Sequence, residues 1–244
     1  MRIIIILLVL FLASCQPSKD QAQKALDDAK RFTQNGEYEK ALERHVWFHN
    51  NALKIRPSYY GVRLSFALGY WVELGEKYPK ALEKLKSIRD EKTSRLIAGE
   101  YNRELFHDVG SINDNLREIV KTVELFEYFH KKNPQFAESV FDIANDSLFI
   151  NKQYSLARKY LGNPKERLDI AKQYYEKGFQ RYTRNNDKEL PKAYETIFVD
   201  EIIRLITILD KSGEQKIATE IQTEALKVLD SPEIRNSVTI KNTE

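Results

Sequence analysis

Apolar residues in this chain recur at three- and four-residue intervals, and no segment sustains the every-second-residue alternation of a half-buried strand. Between Lys24 and Phe32, the side chains of Ala25, Leu26, Ala29 and Phe32 fall on one helical face. Asn35-Gly36 stops that helix, the glycine supplying a left-handed backbone step. Glu37 opens a second helix with Tyr38, Ala41 and Leu42; its apolar positions continue through Leu53, and Pro57 closes it. Only 9 glycines and 7 prolines interrupt 244 residues, so breakers are too sparse for a chain of short strands and turns. The pattern predicts an all-α fold.

The helix–Gly–helix–Pro unit at 24–57 resembles a tetratricopeptide repeat, in which small and apolar residues at fixed points let two antiparallel helices pack closely. Asn35-Gly36-Glu37-Tyr38-Glu39-Lys40-Ala41-Leu42 carries the turn and the start of the second helix. Leu74-Gly75-Glu76-Lys77-Tyr78-Pro79-Lys80-Ala81-Leu82 has a similar turn with one added residue. Phe141, Ala144 and Leu148, then Tyr154 and Ala157, fit the spacing, with Asn151 where glycine is usual. Ile202, Leu205 and Leu209, then Gly213, Ala218, Ala225 and Pro232, form the last copy. The resemblance implies antiparallel helical hairpins stacked as an irregular array; a non-repeat helical bundle is the alternative. Thr196 to Asp210 is expected to be the most covered helix, since Asp200, Arg204, Thr207 and Lys211 make its single narrow polar stripe.

The start of the chain has a different character. Arg2 precedes an unbroken apolar run from Ile3 to Leu12, shorter than the roughly 20 residues that span a bilayer. A charged start, a short apolar stretch and small residues describe a signal peptide. Leu12-Ala13-Ser14-Cys15 matches the lipobox of bacterial lipoproteins, and Cys15 is the chain's one cysteine. This resemblance implies diacylglyceryl transfer to the Cys15 thiol, cleavage before Cys15 and attachment to the membrane through lipid. Gln16 stands where inner-membrane lipoproteins of enterobacteria carry Asp, which implies export to the outer membrane. The expected organisation is a signal peptide at 1–14, a lipidated N-terminus and tether at 15–20, a helical repeat-like domain at 21–230 and a loose C-terminal tail at 231–244.

Charge excludes one class of partner. The 39 basic and 36 acidic residues are interspersed, with no basic patch of the kind that binds nucleic acid. No glycine-rich phosphate loop, nucleophile elbow or cysteine nucleophile of the mature chain is present, so the sequence offers no motif for an enzyme and implies no cofactor. His45 and His49 stand four apart, a spacing that can grip a metal from one helix face, but the adjacent Glu of a zinc-protease motif is missing; packing beside Trp47 and Phe48 is the alternative. Glu104-x-x-His107 and Glu127-x-x-His130 repeat half of a di-iron signature, and a metal or small ligand held by Glu104 and His107 is therefore an alternative function. No metal ligands are assigned. The densest polar stretch runs from Arg89 to Asp114; a solvated helix face with i, i+4 ion pairs explains most of it, and Arg103, Glu104, His107 and Asp108, together with Trp71, form a candidate binding patch. Tyr174, Tyr175, Phe179 and Tyr182 lie at helical spacing; core packing explains most such stripes, and a peptide groove lined by these aromatics is the alternative. The function these features suggest is a membrane-anchored lipoprotein that binds another envelope protein as a scaffold. A structural spacer of the envelope is a further alternative.

Overall fold

The computed structural model describes residues 21–185 and 189–237, the side chains of Phe179 and of residues 181–190 excepted. Every regular element among the described residues is helical, and the fold is all-α. Neighbouring helices pack in pairs, and the chain divides into two compact units.

The first unit comprises residues up to Glu100 together with Ser111–Arg117. It begins with helices α1 (Gln21–Gln34) and α2 (Tyr38–Ile55), joined at Asn35-Gly36-Glu37 as the sequence predicts. Gly36 holds φ at +77°, and the N–H of Glu37 reaches back to the carbonyl of Phe32. Ala22, Ala25 and Ala29 of α1 and Ala41 and Ala52 of α2 are buried; short side chains there let two backbones approach. A single 3₁₀ turn at Pro57–Tyr59 leads into α3 (Tyr60–Leu64), α4 (Phe66–Lys77) and α5 (Pro79–Ile97). Leu68, Trp71 and Leu74 of α4 pack with Ala81, Leu85 and Ile88 of α5 and with Ile112 in the core of this unit. The second expected turn is displaced. Gly75 lies inside α4, where the Leu82 side chain occupies the space a Cβ would need, and the chain turns at Tyr78 before Pro79. Proline at the first helical position loses nothing, because its missing N–H would have had no partner there.

Helix α6 (Arg103–Asn115) gives its residues up to Gly110 to the second unit and the remainder to the first. The second unit continues with α7 (Val120–Lys132), α8 (Pro134–Ile150), α9 (Tyr154–Tyr160), α10 (Pro164–Asn185), α11 (Glu189–Lys211), α12 (Gln215–Leu226) and α13 (Pro232–Arg235). Asn133 caps α8, accepting the backbone N–H of Phe136 at 3.1 Å. Phe106, Phe129 and Phe136 pack edge to face, the last two with ring centroids 4.8 Å apart. At the end of α8 the left-handed residue is Lys152, with φ +58°, and not Asn151, with φ −87°. Asn151 uses its amide instead to bond the carbonyl of Ser147. The expected loose tail begins with structure. Ser231 caps α13, Ile234 is fully buried, and Gln222 of α12 donates to the carbonyls of Ile234 and Arg235. Residues 238–244 lie outside the described residues. No helix among the described residues is long and apolar enough to cross a membrane.

Candidate functional site

Helix α11 contains the apolar stretch at 196–210, and its core face is covered as that stretch requires. Phe198, Ile202, Leu205, Ile206, Ile208 and Leu209 are all buried. As expected of a helix covered on most of its circumference, exposed apolar side chains remain at one place. Ile197 is 42% exposed, and on the facing helix α10 Ile170 and Tyr174 are 63% and 47% exposed. These side chains rim a groove within the second unit, with a volume of about 340 Å³. Leu205 and Ile208 of α11 and Asn145 of α8 also line it. That volume lies in the range of small-ligand sites, roughly 300–1,000 Å³.

The polar groups in the groove wall are few. Arg204 on α11 ties the wall to α8: one terminal nitrogen lies 2.9 Å from Asp146 Oδ1, and the other donates to Glu201 Oε1 at 2.8 Å. Its guanidinium stands 5.9 Å from the Phe149 ring centroid. Arg167, from α10, donates Nε–H to the Leu161 carbonyl and lies 5.9 Å from the Phe141 ring centroid. Phe141, Asn145 and Phe149 are spaced four apart on α8, so Asn145 stands between the two guanidinium positions. Asn145 Oδ1 and Arg204 Nε are both closed to water and have no hydrogen-bond partner.

The sequence-predicted patch is dispersed. Trp71 is 1% exposed and belongs to the core of the first unit, where its indole N–H donates to the Ala81 carbonyl, so it presents nothing to a partner. Asp108 is also buried, His107 is half-buried, and Arg103 and Glu104 are exposed. Arg103 is engaged by Asp142 of α8 and by the carbonyl of Ser139. That partner holds the Asp142 carboxyl below its ordinary range, its hydrogen bond first and its charge next, against the opposing effect of burial. Among the described residues no group of three or more His, Cys, Asp or Glu is placed to hold a metal ion. His130 instead meets the Tyr160 hydroxyl at 2.6 Å.

The tyrosine stripe also divides. Tyr174 faces the groove, whereas Tyr175 is buried with its ring 5.2 Å from that of Phe198; burial, and then the charge of Glu195, push its hydroxyl up. The side chains of Phe179 and Tyr182, and the expected lipidation site Cys15, lie outside the described residues. His45 and His49 take the packing role, His45 stacked on Trp71 at 5.6 Å and His49 edge-on to it at 6.1 Å. Sequence reasoning named Tyr174 but missed Ile170, Ile197 and Asn145. The available signal was the excess of apolar residues on α11 over what one packed face needs.

No protein-family model matches this chain, and no curated protein matches it.

Proposed function

We propose that this protein is a membrane-anchored lipoprotein that works as a binding module of the cell envelope, receiving a segment of another envelope protein in the groove between α10 and α11. The observation that carries this reading is the exposed set Ile170, Tyr174 and Ile197, grouped at one concave place in the second unit. Grouped apolar side chains of this kind favour association, because covering a large aliphatic side chain gains roughly 1.5–3 kcal/mol. The lipobox resemblance supports the anchor, and the pairing of helices supports a packed helical scaffold. The tetratricopeptide resemblance supports the same reading, in which shape-complementary docking is the mechanism and no covalent chemistry takes place.

In-cell photo-crosslinking tests the proposal. A photoreactive residue replaces Ile170 in one strain and the exposed Glu83 of the first unit in another, with Cys15 intact. A discrete crosslinked species from position 170 and none from position 83 is expected. A normally folded and expressed protein that gives no product from position 170 would remove the groove as the working face.

A further inference from the structure

We infer that the face of α1 and α2 carrying Lys24, Arg44 and Trp47 lies on the anionic phospholipid surface to which Cys15 is tethered, its two cations meeting phosphates and its indole entering the headgroup layer. This inference rests on the lipid anchor at Cys15, and it specifies which side of the first unit that anchor turns toward the bilayer.

Residues 15–20 are all that separates a lipid on Cys15 from Gln21, the first residue of α1. A chain of that length extends at most about 21 Å. Gln21 lines a recess of about 440 Å³ between the two helices, together with Lys24, Ala25 and Asp28 of α1 and Arg44 and Trp47 of α2. One wall of the recess therefore stays within that reach of the bilayer. A face tethered so closely meets the headgroups at high effective concentration, so weak contacts suffice to dock it.

The chemistry of the recess fits those headgroups. Lys24 and Arg44 are exposed, and among the described residues neither has an ion-pair partner. Asp28 is the one acid among the residues lining the recess, and Arg31 donates to its Oδ1 at 2.6 Å. That bond first, and the charges of Arg31, Arg44 and Lys24 after it, hold the Asp28 carboxyl below its ordinary range against the opposing effect of burial. Three cations thus surround one carboxylate, and two of them are left to attract further anions. Trp47 is half-buried: it packs against the core that includes Ala22, Ala25 and Phe48, and it also lines the recess. An indole, with an apolar body and an N–H tip, suits the boundary between acyl chains and headgroups. Arg44, Trp47 and Lys54 fall on one stripe of α2, three and seven positions apart, with Glu43 at its edge, so the basic character continues beyond the recess. The other edge of α1 carries the Asp27 carboxylate, bonded by Gln23 at 3.0 Å, which an anionic surface repels.

The test couples the mature chain from residue 15 to vesicles through the Cys15 thiol, the chain's one cysteine. The vesicles contain a maleimide lipid, phosphatidylglycerol, and phosphatidylcholine brominated near the headgroup end of its acyl chains. Bromine quenches an indole that it touches; Trp71 is enclosed in the core, so quenching reports Trp47. Wild-type emission is expected to be lower in brominated than in unbrominated vesicles, and Trp47→Phe emission to be the same in both. The double variant Lys24→Gln, Arg44→Gln alters two exposed positions and keeps the test open should Trp47→Phe fail to fold. It is expected to dock roughly 25-fold more weakly, about fivefold for each cation removed from an anionic surface, and so to lose most of the quenching. Salt at about 1 M, which screens charges beyond roughly 3 Å, is expected to act in the same way. The inference is overturned if wild type is not quenched, or if folded Trp47→Phe is quenched as strongly. It is overturned equally if the double variant, or vesicles lacking phosphatidylglycerol, leave the quenching intact. Maleimide supplies the tether whether or not cells attach lipid to Cys15, so failure of docking here and failure of the anchor in cell fractionation are separate results.

Discussion

His45 carries the clearest physical tension at a single residue. It is almost wholly buried, stacked on Trp71, and its Nε2 has no partner. Burial alone lowers its pKa from 6.5 to about 4, so the ring is neutral in the folded protein at neutral pH. His49 and Arg63 occupy the same core, Arg63 Nη1 lying 3.2 Å from His49 Nε2, so a proton on His45 would add a second positive charge near a guanidinium. The folded pKa is depressed, which fixes the sign. Below the unfolded value of 6.5 the unfolded chain takes up a proton that the folded chain refuses, and stability falls until pH passes about 4. The loss across that window is on the order of 3 kcal/mol. Urea denaturation at pH 7 and pH 5 checks this: wild type is expected to lose more stability than His45→Phe over that interval. An equal loss in both would show that other groups set the pH dependence. From sequence, the His45–His49 spacing admitted both a metal and a packing reading. Trp71, twenty-two positions after His49, packs on both rings, a contact visible only once α4 packs on α2.

At the scale of elements, the helices were legible because their signals are local. Gly36 and the residues on either side specify the α1–α2 turn without help from any distant group. Gly75 was misread because two properties of glycine look identical in sequence, the freedom to turn and the lack of a side chain, and here the second is used against Leu82. The same use recurs at Gly178 of α10, where the Tyr194 ring of α11 lies against the backbone, and Tyr194 in turn packs at 5.0 Å on Tyr174 at the groove. Gly178→Ala is expected to destabilise the protein by about 1–3 kcal/mol through overpacking, and to weaken binding at the groove by displacing Tyr174. A thermal melt and the crosslinking yield from position 170 check both effects, and an unchanged melting temperature would contradict the close approach. At the start of α8, Asn133→Ala is expected to cost about 1 kcal/mol by removing the cap on Phe136 N–H, measurable in the same melts. The Lys152 backbone escaped prediction because asparagine at the preceding position was the more tolerant choice; its side chain was committed to the helix it follows.

For the whole molecule, the all-α class was readable from periodicity, whereas the division into two units was not, since α6 runs continuously across it. The candidate site was legible only in part. Charge density drew attention to Arg103 and its neighbours, yet Asp142 and Ser139 engage Arg103 in the fold, and a sequence does not show which charges find partners. The rim of the groove comes from helices whose apolar residues look like ordinary core in the sequence. The anchor makes a prediction at this scale. Cys15→Ser is expected to move the protein from the membrane to the soluble fraction after cell lysis, with its helical circular dichroism unchanged. A variant that stays with the membrane would mean that something other than lipid on Cys15 holds it there.

Trp71 has one more consequence, and it is optical. The chain contains two tryptophans, Trp47 and Trp71, and both belong to the first unit. Indole emission therefore reports that unit alone, while far-ultraviolet circular dichroism reports helices throughout the chain. Coincident midpoints in the two signals would mean that the units lose structure as one cooperative block. Separate midpoints would show that the half bearing the groove can open and close on its own thermal schedule, without a label having been introduced anywhere.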